Sequence, residues 1–499
     1  MILLKKKILF WIDADLTSFC LAFYLKKKID AEFYAIIDIT NRPREFFLNQ
    51  KLVNFERIWF YHDCLNKDEI INFQKIEELE KKYNLNLNQL TKNDRILSSK
   101  YNIFYKFTKT EIESILNKEF TLFEEILSMK PDFFVTNETT QRHQHTLQQL
   151  CKDKKIKVLM LNNSHWGDYC YISEDYHQLD NFKEIFTNKK TTQCTFEELQ
   201  KKLDEKILSK KLSFYHKNVR GSTMKYITAA MKVILNSNYN NIKTHYTYFG
   251  RTRIKVFFQH LQNLTRDPYR QRYIDKNFTH KIPKDKSIIF FPLQMEPERT
   301  LLIFAPEFTD QMKTIKEISN NLPDKYLLIV KEHPTQGPAR GWRKISDYEQ
   351  FKNDPKVMFI HPSVSSSEIM KNSKLVISVS GTSSFEAPFF NIPSLTFSKN
   401  DFTLIPSVVK FNSGDDLGAV IQKTLKKSIE PEMVAKYIEI IEENSFIFNL
   451  LYFQLDYQTE FYLNGNLVDV EIDESKMKHF LEKHQKTLSD VVKAIEEKL

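Results

Sequence analysis

The stretch LLIVKEHPTQG, residues 327–337, decides the fold of the second half of the chain. Its apolar run at 327–330 predicts a buried strand, which ends abruptly in Lys331, Glu332, His333 and Pro334. A strand that only reverses direction is better served by Asn-Gly or Asp-Gly than by a cation, a carboxylate and an imidazole. A surface turn with incidental charges would also account for this sequence. The neighbouring strand ends therefore decide between the two interpretations.

Apolar strand patterns alternate with amphipathic helix patterns on both sides of this stretch. In the second half, strands are predicted at 287–294, 325–334, 357–362, 374–381 and 393–398, and a helix at 308–322. In the first 165 residues, strands are predicted at 8–15, 31–39, 57–64, 131–138 and 156–163, and helices at 16–30 and 139–155. This alternation predicts an α/β fold with two parallel sheets, each covered by helices on both faces.

The predicted organisation has four parts. Residues 1–196 form an N-terminal Rossmann-like domain with a mostly helical insertion at 66–130, and residues 286–429 form a second Rossmann-like domain. A basic helical connector at 197–285 joins them, and a helical tail follows at 430–499. Because ligands of open α/β sheets bind at the carboxyl ends of the strands, two such domains predict a ligand cleft between them.

Composition restricts the classes of function. The net charge of +9 is mildly basic and suits an anionic ligand. Five cysteines without a CxxC pair indicate reduced thiols, and we find neither a signal peptide nor an apolar run of about 18 residues. We therefore expect a cytoplasmic protein, at most peripheral on the inner face of the cytoplasmic membrane.

The segment at 243–285 combines many Lys and Arg residues with Phe, Tyr and His. It fits an anionic membrane surface as a partner, or a plain solvated connector. Without an RNP-like aromatic motif or a zinc finger, nucleic acid is not expected as a partner.

Only nine glycines occur in the chain, with no GxGxxG and no GxxxxGK[ST]. A glycine-rich phosphate loop is therefore excluded, and a bound phosphate must be held by side chains and helix N-termini. We expect no cofactor and no metal site.

Two further strand ends of the second domain are as polar as the first. Gln294, Glu296, Glu298 and Arg299 follow the strand that ends in FFPL. Another strand leads into a set of small polar residues and then one acid: Ser380, Gly381, Thr382, Ser383 and Glu386. Ser and Thr at a helix start can bind an anion, while Glu386 could accept hydrogen bonds from ribose hydroxyls. The alternative is a capping box, since Ser383 and Glu386 have S-x-x-E spacing.

At the strand end of the opening stretch, His333 would donate to a phosphate oxygen or protonate a leaving phosphate. Lys331 would supply charge, and Pro334 would fix the backbone.

In this order the motifs carry a family resemblance. They are FPL-x-x-E-P-E (291–298), D-Q (310–311), L-P (322–323), V-K-E-H-P (330–334) and S-G-T-x-x-x-E-A (380–387). Residues 290–397 resemble bacterial capsule and surface-polysaccharide biosynthesis glycosyltransferases of GT-B fold. The His-Pro and Ser/Thr elements are also similar to those of bacterial sialyltransferases and Kdo transferases. Residues before 180 resemble the family more loosely, through TNETTQRHQHTLQQLC and HWGDYCYIS.

The resemblance implies a glycosyltransferase that moves a sugar from a nucleotide-sugar donor to a saccharide or lipid-linked acceptor. It implies that the His-Pro and Ser/Thr elements hold the nucleotide monophosphate of a donor such as CMP-Kdo or CMP-sialic acid. The implied donor-binding residues are Gln294, Glu298, Lys331, Glu332, His333, Pro334, Ser380, Gly381, Thr382, Ser383 and Glu386. We expect the transfer to be inverting and metal-independent.

An inverting transfer also needs a base that deprotonates the acceptor hydroxyl. Candidates at strand ends of the first domain are Glu138, Asp13 and Asp15, and Glu138 is favoured because a polar helix start follows it. His143 and His145 are two residues apart on that helix and point away from each other, so we do not interpret them as a metal pair.

Other functions remain open at this point. The opening of the first domain, Asp13-Ala-Asp15 followed by Thr17, also resembles the DxDxT motif of haloacid-dehalogenase-type phosphatases, with Asp13 as nucleophile, Asp15 as acid and Mg²⁺ bound. The same residues could form a DxD metal site of the other glycosyltransferase fold. Two further alternatives are a sugar-nucleotide epimerase of GT-B fold and a non-catalytic partner in polysaccharide assembly.

Overall fold

The computed structural model describes residues 5–39, 41–66, 73–83, 86–206, 223–235 and 252–499. The chain divides into two compact units, which we describe separately. The first unit comprises Met1–Asp180, Lys206–Lys255 and Ile441–Leu499, and the second comprises Asn181–Glu205 and Val256–Ile440. Residues 207–222 and 236–251 of the predicted connector lie outside the described residues. The domain boundaries from the sequence stay predictions.

Thirteen strands are described. They are β1 (Lys7–Ile12), β2 (Glu32–Ile37), β3 (Arg57–Phe60), β4 (Phe133–Asn137), β5 (Lys157–Asn163), β6 (Tyr169–Ser173), β7 (Ser287–Pro292), β8 (Tyr326–Lys331), β9 (Val357–Ile360), β10 (Ser373–Ser378), β11 (Ser394–Thr396), β12 (Val408–Lys410) and β13 (Phe446–Ile447). All ten strands predicted from the sequence are present, and β6, β12 and β13 are additional.

The described helices surround these strands. They are α1 (Thr17–Lys28), α2 (Arg42–Asn49), α3 (Phe73–Lys82), α4 (Leu87–Lys92), α5 (Lys109–Ser128), α6 (Arg142–Asp153), α7 (Phe182–Asn188), α8 (Phe196–Lys206), α9 (Thr223–Leu235), α10 (Arg253–Asn277), α11 (Arg299–Leu302), α12 (Gln311–Asn321), α13 (Gln336–Arg340), α14 (Ile345–Glu349), α15 (Ser366–Lys371), α16 (Ser383–Glu386), α17 (Leu417–Thr424), α18 (Pro431–Glu443), α19 (Leu450–Phe461) and α20 (Glu474–Glu496).

The sheet of the first unit has the order β13-β6-β5-β4-β1-β2-β3. Strands β1 to β5 are parallel, whereas β6 and β13 are antiparallel at one edge. Strand β1 lies near the middle and is fully apolar from Ile8 to Ile12, as a strand covered on both faces should be. The carboxyl ends of β1 to β5 therefore meet at one edge of this sheet.

The C-terminal helices α19 and α20 belong to the core of the first unit. Leu481, Leu488 and Val491 of α20 are buried in the same apolar cluster as Phe19 of α1. Each such side chain contributes about 1.5–3 kcal/mol by leaving water. The helical content predicted for this region is confirmed, and its helices form part of a structural layer.

The sheet of the second unit has the order β12-β11-β10-β7-β8-β9 and is parallel throughout. Alternate residues of its strands enter different cores: Leu328 and Val330 pack on one face, while Leu327 and Ile329 pack on the other. Helix α12 covers the first face through Ile315. The predicted α/β class with two parallel-sheet regions is thereby confirmed, and β7, β8 and β10 end side by side.

Candidate functional site

The His-Pro turn after β8 fixes the tautomer of His333. Its Nδ1 atom lies 3.3 Å from the backbone nitrogen of Thr335 and 2.7 Å from Thr335 Oγ1. A backbone N–H can only donate, so Nδ1 is an acceptor and the neutral ring carries its proton on Nε2. Three consecutive turn residues, His333, Pro334 and Thr335, thus orient a ring whose Nε2–H is a hydrogen-bond donor.

Glu332 is a buried carboxylate that supports this turn. Its oxygens accept from the backbone N–H of His333 (2.8 Å), from Arg343 Nε (2.8 Å) and from Tyr348 Oη (2.8 Å). The residue is fully shielded from solvent. Glu332 therefore orients the turn, and its predicted role in donor binding stays a prediction.

Arg343 connects two strand ends and was missed by sequence reasoning. Besides Glu332 it pairs with Glu296 through Nη1, and its Nη2 donates to the carbonyl oxygen of Gln294 at 2.9 Å. Burial opposes the charged form, but the carboxylates of Glu332 and Glu296 raise the pKa of Arg343 above its ordinary value. A single guanidinium thereby holds the ends of β7 and β8 in register.

Lys331, the last residue of β8, carries a buried ammonium group. Only 5% of the residue is exposed, and Nζ donates to Ser366 Oγ at 2.8 Å. Within the part of the chain that the structure describes, no carboxylate lies within ion-pair distance of Nζ. Burial therefore lowers the pKa of Lys331 to about 8. Ser366, the first residue of α15, was not predicted, because one serine in a serine-rich stretch carries no signal of its own.

Gln294 follows β7, and its side chain contacts the turn that follows β10. In the amide orientation that satisfies both groups, its Oε1 accepts from the backbone N–H of Ser380 at 2.7 Å and from that of Gly381. A Cβ atom on Gly381 would approach the side-chain amide of Gln294 to 3.0 Å, so glycine permits this close approach. These two amides are therefore engaged by Gln294, and a phosphate here must be bound by side chains.

The hydroxyl groups of this turn behave differently from the predicted capping box. Helix α16 has only four residues, and Thr382 Oγ1, not Ser383, donates to Glu386 Oε1 at 2.9 Å. Burial raises the pKa of Glu386 above its ordinary value. Ser383 and Glu386 therefore do not form the capping box that was the alternative. The predicted contact of Glu386 with ribose hydroxyls stays a prediction.

Glu298 and Arg299 begin α11 just beyond β7. Glu298 Oε2 accepts from Thr300 Oγ1 at 3.3 Å. Arg299 is 4% exposed, and its guanidinium lies 4.6 Å from the ring centroid of Phe304. This places a second buried cation beside the end of β7.

A second His-Pro turn follows β9 and repeats the local geometry of the first. His361 Nδ1 lies 3.2 Å from the backbone nitrogen of Ser363 and 2.6 Å from Ser363 Oγ. Its Nε2, however, is 3.1 Å from Asp275 Oδ1. The same turn thus occurs twice on adjacent strands, and at His361 the outer nitrogen faces a carboxylate of the chain.

The first unit places Asp13 and Asp15 at the end of β1. Asp13 accepts from the backbone N–H of Asp15 at 2.8 Å and from Gln144 Nε2 at 2.7 Å. Asp15 accepts from Thr17 at the start of α1 and from Gln454 Nε2 at 2.9 Å. Burial, together with the charges of Asp15 and Asp38, raises the pKa of Asp13 to about 8.

Asp38, at the end of β2, bridges two imidazoles that sequence reasoning did not connect. Its two oxygens lie 2.8 Å from His62 Nε2 and 2.8 Å from His143 Nε2. Burial alone would raise the pKa of Asp38, but the two histidines lower it below the ordinary range. Among the described residues no group of three or more His, Cys, Asp or Glu is arranged to hold a metal ion.

Glu138 follows β4 on the same sheet edge. Its Oε1 accepts from the backbone N–H of Asn163 at 3.0 Å, and the residue is half-buried. Nearby, His165 N donates to Asn163 Oδ1 at 2.8 Å, and His165 Nε2 is 2.7 Å from His177 Nε2. Burial lowers the pKa of His165 to about 4, so one imidazole of this pair is neutral.

Comparisons with known proteins now bear on these two edges. Residues 214–404 match the model of the capsule polysaccharide biosynthesis protein family. The match contains both the His-Pro turn and the Ser/Thr turn of the second unit, and it confirms the resemblance predicted from the sequence. No curated protein matches the chain.

Several solved structures are also similar. The UDP-GlcNAc 2-epimerase of Methanocaldococcus jannaschii, in complex with UDP-GlcNAc and UDP, is 12% identical over 88% of this chain and 99% of that chain, with a TM-score of 0.22. The β-Kdo 2,7 transferase KpsC of Thermosulfurimonas dismutans is 11% identical over 67% and 88%, with a TM-score of 0.29. Its β-Kdo 2,4 transferase is 10% identical over 62% and 79%, with a TM-score of 0.30. These similarities decide nothing about substrate or mechanism.

Proposed function

We propose that the chain is a glycosyltransferase of capsule or surface-polysaccharide assembly that uses a nucleotide-sugar donor. One observation carries the proposal: β8 and β10, which flank β7 in the sheet, end at the same edge and bring Lys331, His333 and Thr382 there. Arg343 and the buried Glu332 hold this edge in place. Such an edge supplies a cation and an imidazole N–H, which are donors that phosphate requires when no glycine-rich loop exists. The hydroxyl of Thr382 would join them by exchanging Glu386 for the phosphate as its acceptor.

The proposed chemistry follows from where charge develops. When the glycosidic bond to the donor phosphate breaks, negative charge grows on the phosphate oxygens. The Nε2–H of His333 and the ammonium of Lys331 bind that charge more strongly in the transition state than in the donor. The motif resemblance favours a CMP-sugar such as CMP-Kdo or CMP-sialic acid as the donor.

We assign the base that activates the acceptor hydroxyl to the edge of the first unit. Asp13 and Asp15 each accept hydrogen bonds on both carboxylate oxygens, and Glu138 accepts from a backbone amide, so hydrogen bonding does not separate the three candidates. With its pKa raised to about 8, Asp13 is a stronger base than an ordinary carboxylate, and its ionised fraction, which grows as the pH approaches 8, can take the proton of the acceptor hydroxyl. The raised pKa, and not the hydrogen-bond geometry, therefore favours Asp13 over Glu138, the residue preferred from sequence. Inversion at the transferred carbon remains part of the proposal.

A nucleotide panel tests the proposal directly. Thermal shift with CMP, CDP, UDP and GDP should reveal one nucleotide that raises the melting temperature. A ligand at a hundredfold excess over its Kd adds about 2.7 kcal/mol to the stability of the folded state. We expect the shift to persist in EDTA, because the proposed phosphate donors belong to the chain.

Three outcomes would contradict the proposal. One is the absence of any nucleotide-dependent shift. Another is magnesium-dependent hydrolysis of a phosphate ester that Asp13→Asn abolishes, which supports the phosphatase alternative. The third is release of nucleotide from the donor without acceptor, which supports the epimerase alternative.

A further inference from the structure

Helix α10 presents a continuous apolar stripe to solvent. Its members recur three or four residues apart and so lie on one face: Ile254, Phe257, Phe258, Leu261 and Leu264. Their exposed fractions run from 42% at Leu261 to 69% at Ile254. Single exposed apolar residues are ordinary on protein surfaces, but a row of five bulky ones on one helix face marks an interaction surface.

The other end of the same helix is firmly packed, so the stripe is held on a folded element. Ile274 is fully buried, and the adjoining Phe278 lies with it in an apolar cluster that contains Trp342 and Tyr348. Arg270 donates to the carbonyl oxygen of Trp342. The apolar stripe lies in the first part of the helix and ends at Leu264, upstream of Arg270 and Ile274.

The charges of α10 indicate which kind of partner the apolar stripe can bind. The helix contains six Lys or Arg residues and two Asp residues, with no Glu. Bulky apolar residues on one face of a helix rich in Lys and Arg are the pattern of helices that lie in the interface of an anionic bilayer. Helix α9 shows the pattern separately, with Met224, Ile227 and Met231 exposed and only Lys among its charged residues.

We propose that α10 is a membrane-surface helix, which inserts the stripe from Ile254 to Leu264 into the interface of an anionic bilayer. A second copy of the chain fits the stripe less well, because two such basic helices on chains of net charge +9 repel each other. None of the described helices is both long and apolar enough to cross a bilayer, so the contact would be peripheral. The proposal goes beyond donor binding and does not depend on it.

Flotation with phosphatidylglycerol-containing vesicles tests the proposal. The wild-type chain should float with anionic vesicles at low salt and much less with phosphatidylcholine vesicles. The double substitution Phe257→Ser/Phe258→Ser should weaken partitioning at least tenfold, since half-burying a phenylalanine contributes about one factor of ten. Raising the salt should weaken wild-type binding strongly, because exposed cations are screened.

Leu48→Ser is the matched control, because Leu48 on α2 and Phe257 are both 51% exposed. It should partition as the wild type does. Equal flotation of the double variant and the wild type would overturn the proposal. So would self-association in sedimentation velocity that the double variant abolishes, because the stripe would then be an interface between copies. The nucleotide-dependent rise in melting temperature should persist in the double variant. Failure of the membrane proposal would then leave the proposed function standing.

Discussion

The carboxyl edges of the two sheets differ in the sign of the charge that they bury. The edge of the first unit carries Asp13 and Asp38, with imidazoles against Asp38. The edge of the second unit carries Lys331 and His333, with the nearby acids Glu332 and Glu296 neutralised by Arg343. One kind of fold therefore supports two chemistries: the first edge can accept and release protons, and the second can bind an anion.

Burial has moved one group on each edge to the same pH range from opposite directions. It raises the pKa of Asp13 to about 8 and lowers the pKa of Lys331 to about 8. At neutral pH, Asp13 is mostly neutral and Lys331 mostly charged. Above pH 8, the first edge gains a negative charge while the second loses its positive charge. Alkaline conditions should thus impair anion binding at the second edge alone.

The largest expected effect is on the stability of the second edge. Arg343→Met leaves Glu332 and Glu296 buried without their cation, which typically costs about 3–5 kcal/mol. Chemical denaturation of the second unit should show this loss. Adding Glu332→Gln and Glu296→Gln to the variant should recover part of it, because no unpaired charge then remains. A loss below about 1 kcal/mol in Arg343→Met would contradict the view that Arg343 stabilises this edge by pairing with Glu332 and Glu296.

A smaller effect concerns the pH dependence of nucleotide affinity. An anion favours charged Lys331, whose pKa is about 8 in the unliganded protein. Affinity should fall by no more than about twofold between pH 7 and pH 8 and roughly tenfold per pH unit well above pH 8, since each pKa unit corresponds to about 1.4 kcal/mol. The second ionisation of a phosphate monoester has its midpoint near pH 6, so it is about nine-tenths complete at pH 7 and adds little slope above that pH.

Variants of the two edges separate the two titrations. Asp13→Asn should keep the alkaline loss of affinity, whereas Lys331→Met should abolish the slope and bind weakly at every pH. Isothermal titration at pH 7, 8, 9 and 10 measures both. If the slope disappeared in Asp13→Asn and persisted in Lys331→Met, anion binding would belong to the first edge, and the assignment to the second edge would be wrong.

Local sequence patterns were sufficient to predict the strands and the polar residues that meet at the edge of the second unit. Apolar runs that stop in polar residues mark strand ends, and parallel pairing brings Gln294, Lys331 and Ser380 to one edge without further information. Arg343 could not be found this way, because it lies in a loop eleven residues beyond Glu332 and nothing local distinguishes it from a solvated arginine. Only the folded backbone shows which acids surround it.

The first edge was harder to predict for the same physical reason. Asp38 meets His143 across 105 residues of chain and also meets His62, so no short motif contains the cluster. The packing of α19 and α20 against the first unit could not be predicted from the sequence either. Helical periodicity predicts which face of a helix is apolar, but it does not say which core that face enters.

The central claim is that the second edge binds the donor phosphate through His333, and the two His-Pro turns allow a matched test. Nucleotide affinity and melting temperature should be measured on the same samples of His333→Ala and His361→Ala. His333→Ala should lose about 1.5–3 kcal/mol of binding free energy, a charge-assisted hydrogen bond, and melt near the wild-type temperature. His361→Ala should bind within about twofold of the wild type, because its Nε2 faces Asp275. Wild-type affinity in His333→Ala, or an equal loss in both variants, would contradict the account.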